Sequence, residues 1–526
     1  MTAAPQDVRS DLAPRRLYQE EAIDQALLRG NLLLAMTMGS GKTRVAIDTV
    51  DTLAARGLVQ AGAVFVLNST KFQWLREIEH WSSTGTAMVI DGQRPERLRQ
   101  YKRAYRHRYT ILNYEALIHD WEWIQEYLPI DFVVADEVTS IKSFTAKKSK
   151  RLKALGKHSP YRFGMSGQPV ENRPEELFSI MEFVDREVLG HFQKFDRTFI
   201  VRDHWGKPKA YRNLDTLRAA MGEAMFRRSR DDIAQYLPKL NVVATPARMD
   251  AWSYALYDEV RCDLLDVIDM ALAAGLGGFN LLSHYGRAEN EAVNQFKGMI
   301  MSRLTVMRLL CDHPSLLYVS ADAYDDEDSP HGSQYASELR AAGRLENAPD
   351  SSEKLSTLLD TVESILDESP INKVVIFSGF KPMLAIIGLE LRKLKINHTL
   401  LTGDAPSKLR DERIVKFNTD PRCRVFLSSD AGNYGVNLDA GSHLISFDLP
   451  WSAGAYAQRA ARIDRLSSQH DSILIDAMFC AGTIEERMYD MLGQKRKISE
   501  AFTDGKFDPK GVLKLDLSSL REFMGG

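Results

Sequence analysis

The chain has 526 residues, 44% hydrophobic and 26% charged, with ordinary glycine and proline content, as in a globular protein of two or three domains with separate cores. A formal net charge of −3 gives no global sign of a polyanion partner, and no run approaches the roughly 20 apolar residues that a membrane span needs. The N-terminal "MTAAPQDVRSDLAPRR" lacks the apolar core of an export signal, and Cys262, Cys311, Cys423 and Cys480 are scattered, so we expect a cytoplasmic, reducing setting without secretion, disulfides or a zinc site.

The first strong element is "NLLLAMTMGSGKTRVAI", residues 31–47. An apolar strand runs into a small-residue turn carrying Gly39, Gly41, Lys42 and Thr43, and a helix follows. Backbone N–H groups of such a turn, feeding a helix N-terminus, form an anion site. Lys42 would reach the β- and γ-phosphates, and the Thr43 hydroxyl would ligate Mg²⁺. The usual phosphate-loop pattern opens with glycine, and Met36 holds that place here. An ordinary glycine turn is the plain alternative.

Four more short apolar runs follow, "AVFVL", "YTILN", "FVVAD" and "YRFGM", separated by helical patterns. Strand–helix alternation of this kind predicts an open α/β sheet with parallel strands. Residues 94–109 and 142–157 are locally basic, and the first run interleaves tyrosines. Each reads equally well as a solvated helix face. "DFVVADEVTS" sets Asp136 and Glu137 at the C-terminal end of a strand, the edge where open α/β sheets bind ligands. Asp136 suits Mg²⁺, and Glu137 suits a group that orients and deprotonates an attacking water. Such a pair is otherwise a helix N-cap.

From about residue 175 to 237 the pattern turns helical, and it stays largely helical through "SRLTVMRLLCDHPSLL". Residues 321–352 are polar and acidic and read as a linker or surface loop. Alternation then resumes with "KVVIFSG", "NHTLLTG", "CRVFLSS", "HLISFDL" and "SILIDAM". We therefore expect a first lobe over 1–240 with a helical protrusion at about 174–240. A helical insertion and acidic linker over 241–350, a second lobe over 351–500 and a tail over 501–526 complete the division. In the second lobe, "AYAQRAARIDRLSS" places Arg462 and Arg465 on one helix face. Paired guanidinium forks suit the charge that develops on a transferred phosphoryl group. A surface helix is the plain alternative. If the arginines complete the site, it lies between lobes and assembles as they close.

In this order the motifs resemble those of the Swi/Snf-type ATPases of helicase superfamily 2, and the likeness runs from about Leu17 to Lys497. "RRLYQEEAI" resembles the family's adenine-reading segment, "VLNSTKFQWLREI" a segment that meets a nucleic-acid backbone, and "YRFGMSGQPVENRPEELFSIMEF" its coupling segment. "MFRRSRDDIAQYLPKL", "RLLCDHPSLL", "SSEKLSTLLDTV" and "LSSDAGNYGVNL" are similar to its later motifs. The resemblance implies two RecA-like lobes with helical insertions between them. It implies ATP bound by Gln19, Met38, Gly39, Ser40, Gly41, Lys42 and Thr43, with Mg²⁺ at Thr43 and Asp136. Glu137, Lys42, Arg462, Arg465 and Gln458 would be catalytic, and Ser166, Gly167 and Gln168 coupling residues. Ser69, Lys71 and Trp451 would contact DNA.

The implied activity is an ATP-dependent translocase on double-stranded DNA, a monomer tracking the backbone in a salt-sensitive manner. A compact chain of this type suits a bacterium or the cytoplasm of a virus-infected host. A strand-separating or fork-remodelling helicase on the same engine is the nearest alternative, with forked DNA as substrate. An RNA helicase and a non-catalytic homologue are further ones. Several positions depart from the family pattern: Met36 and Thr37 replace an acidic pair, Val138 and Thr139 follow the two carboxylates, and Gln168 replaces a threonine. Asp430 and Asn433 stand where arginine and glycine are usual, and Asp464, Ser467 and Ser468 alter the arginine motif.

Overall fold

The computed structural model describes residues 13–167, 174–202, 208–276, 291–326, 332–430, 436–493 and 517–525. In the first lobe the strands are β1 (Asn31–Met36), β2 (Gly62–Val66), β3 (Ala87–Val89), β4 (Tyr109–Asn113), β5 (Phe132–Ala135) and β6 (Tyr161–Ser166). A small antiparallel pair, β7 (Ile200–Arg202) and β8 (Pro208–Tyr211), follows, and β9 (Met225–Arg228) returns to the main sheet. That sheet has seven parallel strands in the order β3-β4-β2-β5-β6-β1-β9.

Its strands are continuous apolar runs because both faces are covered. Leu33, Phe65, Val133 and Leu112 point into one core, and Leu32, Leu34, Val64, Ile111 and Val134 into another. Such alternation is the period of two seen from both sides of one sheet.

The second sheet contains β10 (Lys239–Ala247), β11 (Val374–Phe377), β12 (His398–Leu401), β13 (Val425–Ser428), β14 (His443–Ser446) and β15 (Ser472–Cys480). They run parallel in the order β10-β15-β14-β11-β13-β12. The long helices Ala251–Ala273 and Glu291–Asp312 share one apolar cluster with Val374, Ile376 and Leu427 of this sheet. The helix Leu517–Gly525 packs there too, through Leu517, Leu520 and Met524.

Three expectations need correction. Lys239–Ala247 is a strand, not part of the helical stretch. It lies on the sheet edge with Val242 and Val243 exposed, where one-sided contact leaves no clean period and tolerates Pro246. The short strands β3 and β9 carry too few residues for a periodic signal. Residues 321–352 are not simply a loop, because Gln334–Ala341 is a helix that buries Tyr335, Ala336 and Leu339.

A buried charge cluster joins the helical middle to the second lobe. Lys354 is almost wholly buried, and its ammonium donates to Asp312 Oδ1 at 2.8 Å and to Glu485 Oε2 at 2.7 Å. Burial works against its charge, but the two carboxylates outweigh burial and hold the pKa above its ordinary value. Ser352 Oγ donates to Asp312 O at 2.7 Å, and Glu485 Oε2 accepts from Cys480 N at 3.0 Å. Cys311 and Cys480, far apart in sequence, meet here, with Cys480 Sγ donating to Cys311 O at 3.2 Å. Their sulfurs and the Glu485 carboxylate lie within 4.8 Å of one another, but that carboxylate is already engaged by Lys354.

Removing one member of a buried ion network strands the others without compensation. Lys354→Met is therefore expected to cost about 3–5 kcal/mol of stability, read by chemical denaturation. A loss well under about 1 kcal/mol would contradict this account of the cluster.

Candidate nucleotide site between the lobes

β1 delivers the chain to the loop, and the helix Lys42–Ala55 begins directly after Gly41. Gly39 and Gly41 have φ of +73° and +80°, a region that side chains rarely adopt. Both glycines are also needed for close approach. A Cβ on Gly41 would lie 2.4 Å from Gln19 Nε2, and one on Gly39 would lie 2.5 Å from the backbone oxygen of Asp464. Gln19 caps its own helix, accepting from Arg16 N at 2.9 Å, and donates to Ser40 O at 3.2 Å. Tyr18 donates to the same oxygen at 2.8 Å.

Lys42 Nζ donates to Met36 O at 2.9 Å and to Thr37 O at 3.0 Å. The departures at Met36 and Thr37 thus leave backbone carbonyls facing the lysine, while the Met36 side chain is buried in the core. Burial lowers the Lys42 pKa; Glu137 and Asp136 oppose this, and Arg465 and Arg462 add to it. Met38 extends toward the end of β6: a Cβ on Gly167 would lie 2.9 Å from Met38 Cγ. Ser166 is buried at the end of β6 and pairs with Ala35 of β1. Gln168 and Asn433 lie outside the described residues.

At the end of β5, Asp136 accepts from Trp74 Nε1 at 2.8 Å and from Glu137 N at 2.9 Å. Burial raises its pKa, against the Trp74 bond and the Lys42 charge. Glu137 sits in the left-handed region with φ of 46°, a conformation that costs energy for a non-glycine residue and is held by its surroundings. Tyr114 anchors the turn by donating to Asp136 O at 2.7 Å. The hydroxyl of Thr43 and the carboxylate of Asp136 are hard oxygen donors, a chemistry that fits Mg²⁺.

From the second lobe, the helix Ala453–Ala460 and the turn after it carry the arginines. Arg462 Nε donates to Gln458 O at 3.0 Å, and Arg465 Nε to Ala461 O at 2.7 Å. Arg465 also donates to Val436 O at 3.3 Å and to Asn437 Oδ1. Burial lowers its pKa, against Asp439, Glu77 and Asp464. The turn touches the phosphate loop directly, with Leu466 N donating to Gly39 O at 3.3 Å. Gln73 to Asn437 at 3.3 Å and Arg76 to Asp411 at 2.7 Å also cross between lobes.

The departures acquire partners. Asp430 receives Arg459 through both Nε at 2.7 Å and Nη2 at 2.8 Å. Arg459 is wholly buried and donates also to Asp448 O at 2.5 Å. Asp464 receives Arg230 of the first lobe at 2.7 Å and 3.1 Å. Ser467 Oγ donates to Asp439 at 2.8 Å. Trp74, Asn437 and Arg459 also shape the site, and each lies inside a motif singled out above without being picked from it: Trp74 in "VLNSTKFQWLREI", Asn437 in "LSSDAGNYGVNL" and Arg459 in "AYAQRAARIDRLSS".

The expected DNA contacts are placed less simply. Ser69 is half-buried in the turn Asn68–Thr70. Lys71 does not face outward: it is buried, and its ammonium donates to Asp91 Oδ1 at 2.7 Å and to Ile90 O at 3.3 Å. Trp451 packs against the second-lobe core, with the Arg308 guanidinium 5.8 Å from its ring centroid. In the basic runs, Arg97 is forked onto Asp120, and Lys153 pairs with Glu182. Lys102, Arg103, Lys147 and Lys150 remain exposed.

A family model described as the SNF2-related domain matches residues 18–316, and one described as the helicase conserved C-terminal domain matches residues 353–467. DNA repair and recombination protein RAD54B of Mus musculus is 24% identical over 497 residues, covering 90% of this chain and 53% of that protein. DNA repair and recombination protein RAD54-like of Gallus gallus is 26% identical, with coverages of 93% and 67%. An uncharacterized ATP-dependent helicase, MG018 of Mycoplasma genitalium, is 24% identical, with coverages of 92% and 42%. The chain thus spans about half the length of several curated relatives it matches. The Hef helicase domain of Pyrococcus furiosus superposes with a TM-score of 0.52 at 14% identity, covering 90% of this chain and 98% of that one. The SWI2/SNF2 ATPase core of Sulfolobus solfataricus in complex with dsDNA gives 0.41 at 24% identity, with 94% of each chain covered.

The tight contact at Gly39 makes a simple prediction. Gly39→Ala places a methyl against the Asp464 carbonyl and strains the loop, so ATP turnover is expected to fall about tenfold or more, while the melting transition stays cooperative. Full turnover in this variant would mean the lobes hydrolyse ATP without this approach.

Proposed function

The chain belongs to the SNF2-related family, and from that premise we propose that it is a translocase that couples ATP hydrolysis to movement along double-stranded DNA. It is an ATP hydrolase of helicase superfamily 2, built on two RecA-like lobes. The observation that carries the reading is the seating of the second lobe's arginine turn on the first lobe's phosphate loop. Arg462 and Arg465 lie near enough to Lys42 to act on its charge.

In our reading, the loop from Met38 to Thr43 binds the phosphates through backbone N–H groups and Lys42, and Gln19 reads the base. Mg²⁺, held by Thr43 and Asp136, would neutralise phosphate charge. Trp74 orients the Asp136 carboxylate. Glu137, held at its turn, orients the attacking water and accepts its proton. Lys42, Arg462 and Arg465 stabilise the charge of the transferred phosphoryl group, with the Gln458 carbonyl aiming Arg462. Gly167, packed beside Met38, and Ser166 before it, paired with Ala35 of β1, transmit nucleotide state to the first lobe, with Gln168 continuing that segment.

Duplex DNA as the track is supported by family membership and by relatives described as DNA repair and recombination proteins. Among the described residues, no helix is long and apolar enough to cross a membrane. Trp451, Ser69 and the exposed lysines of the two basic runs are the proposed contacts with the duplex. Lys71 is left out, since Asp91 holds it.

Lys42→Ala and Glu137→Gln are each expected to abolish DNA-stimulated ATP turnover while leaving the protein folded. Undiminished turnover in either variant would remove the site assignment. For the track, displacement of a triplex-forming strand by the parent protein and ATP is expected, with no separation of a forked duplex. Fork separation without triplex displacement would make the chain a strand-separating helicase instead.

A further inference from the structure

The two lobes are joined beside the site by a fork-to-carboxylate ion pair that the reaction itself does not require. Arg230 lies two residues beyond β9 in the first lobe, and Asp464 lies between the two arginines Arg462 and Arg465 in the second. Arg230 Nε donates to Asp464 Oδ2 at 2.7 Å, and Nη2 donates to Oδ1 at 3.1 Å. Planar two-point contact of this kind fixes orientation as well as distance. The side chains are 25% and 13% exposed, so water screens the pair only in part.

Both ends are anchored to the parts that must meet. On the first-lobe side, Met36 pairs with Arg228 of β9, and Thr37 N donates to Arg228 O at 2.9 Å, so Arg230 is tied to the entry of the phosphate loop. Arg230 Nη2 also donates to Pro238 O at 2.8 Å, just ahead of β10, where the chain first crosses into the second sheet. On the other side, the Asp464 carbonyl lies against Gly39, and Leu466 N donates to Gly39 O. The Asp464 side chain and backbone therefore grip the first lobe at two separate points.

We propose that Arg230 is a positioning residue that acts through Asp464, holding the arginine turn on the phosphate loop and setting how much of the protein is closed when nucleotide is bound. The proposal rests on the reading of Arg462 and Arg465 given above. It assigns the aspartate between them a task in place of a defect: Asp464 orients its neighbours by binding the opposite lobe. Such a latch is electrostatic, so closure weakens with rising salt more than a purely apolar contact would. It also opens without breaking the core of either lobe.

The test is a charge exchange read by two signals. Arg230→Gln and Asp464→Asn are each expected to lower kcat about tenfold or more, with a smaller change in KM for ATP. Arg230→Lys, which keeps the charge and loses the fork, should fall between them and the parent. The double exchange Arg230→Asp with Asp464→Arg should recover most of the lost turnover, as an ion pair between these two positions requires. In parallel, dyes on the two lobes, in a Cys262→Ser background that removes the exposed thiol, report lobe distance with a non-hydrolysable ATP analogue. The single variants should show a smaller closed fraction, and the exchange should restore it.

Parent-like kcat and closure in both single variants would overturn the proposal. So would a cooperatively folded exchange variant no better than the worse single variant. Because lobe distance is read without turnover, a failure of the clamp is distinguishable from a failure of the site. In the latter, Lys42→Ala keeps its hydrolysis whatever the dyes report.

Discussion

The whole arrangement depends on how closely the backbones of two lobes approach at Gly39. The Asp464 carbonyl occupies the space a side chain would take, and the Leu466 N–H meets the Gly39 carbonyl. A phosphate loop offers N–H groups to one side of an anion, and the arginine turn brings cations to the other. Neither lobe holds both halves. A contact through backbone and glycine is short and has few ways to form, so it responds sharply to lobe rotation.

Buried charges prepare each half for the meeting. In the second lobe, Arg459 is enclosed between Asp430 and Asp448, and Ser378 and Gly379 N–H also donate to Asp448. Arg459 holds the Asp448 pKa down against the burial that would raise it. The helix Ala453–Ala460, which leads into the turn of Arg462 and Arg465, is thereby fixed to the ends of β11 and β14. In the first lobe, Trp74 and Tyr114 hold the turn at Asp136 from two sides. The Lys354 cluster ties the helical middle to the second sheet, so that these elements share one core. Charges fully removed from water demand partners in fixed places.

Much of this was legible in the chain alone because the signals are local. Ten apolar runs correspond to strands β1, β2, β4, β5, β6 and β11 to β15, since parallel strands covered on both faces must be apolar throughout. β3 and β9 are too short to carry a period, and β10 is an exposed edge with mixed polarity. The helix Gln334–Ala341 hides in an acidic stretch because only Tyr335, Ala336 and Leu339 of it face inward. Lys71 is expected against DNA, but no local pattern could reveal the Asp91 that holds it. In the same way Asp430 and Asp464 depart from the family pattern, and only the fold sets Arg459 and Arg230 opposite them.

The sequence by itself determined which groups stand at each end of the site. Spacing within one strand–turn–helix places Gly39, Gly41, Lys42 and Thr43, and spacing along one helix and its turn places Arg462 and Arg465. Such relations need only the geometry of a few successive residues. What only the tertiary structure decided is which charges answer which across hundreds of residues: Arg230 with Asp464, Arg459 with Asp430, and Lys354 with Asp312 and Glu485. Pairing at that separation is set by the packing of whole sheets and helices, and no window of sequence contains it.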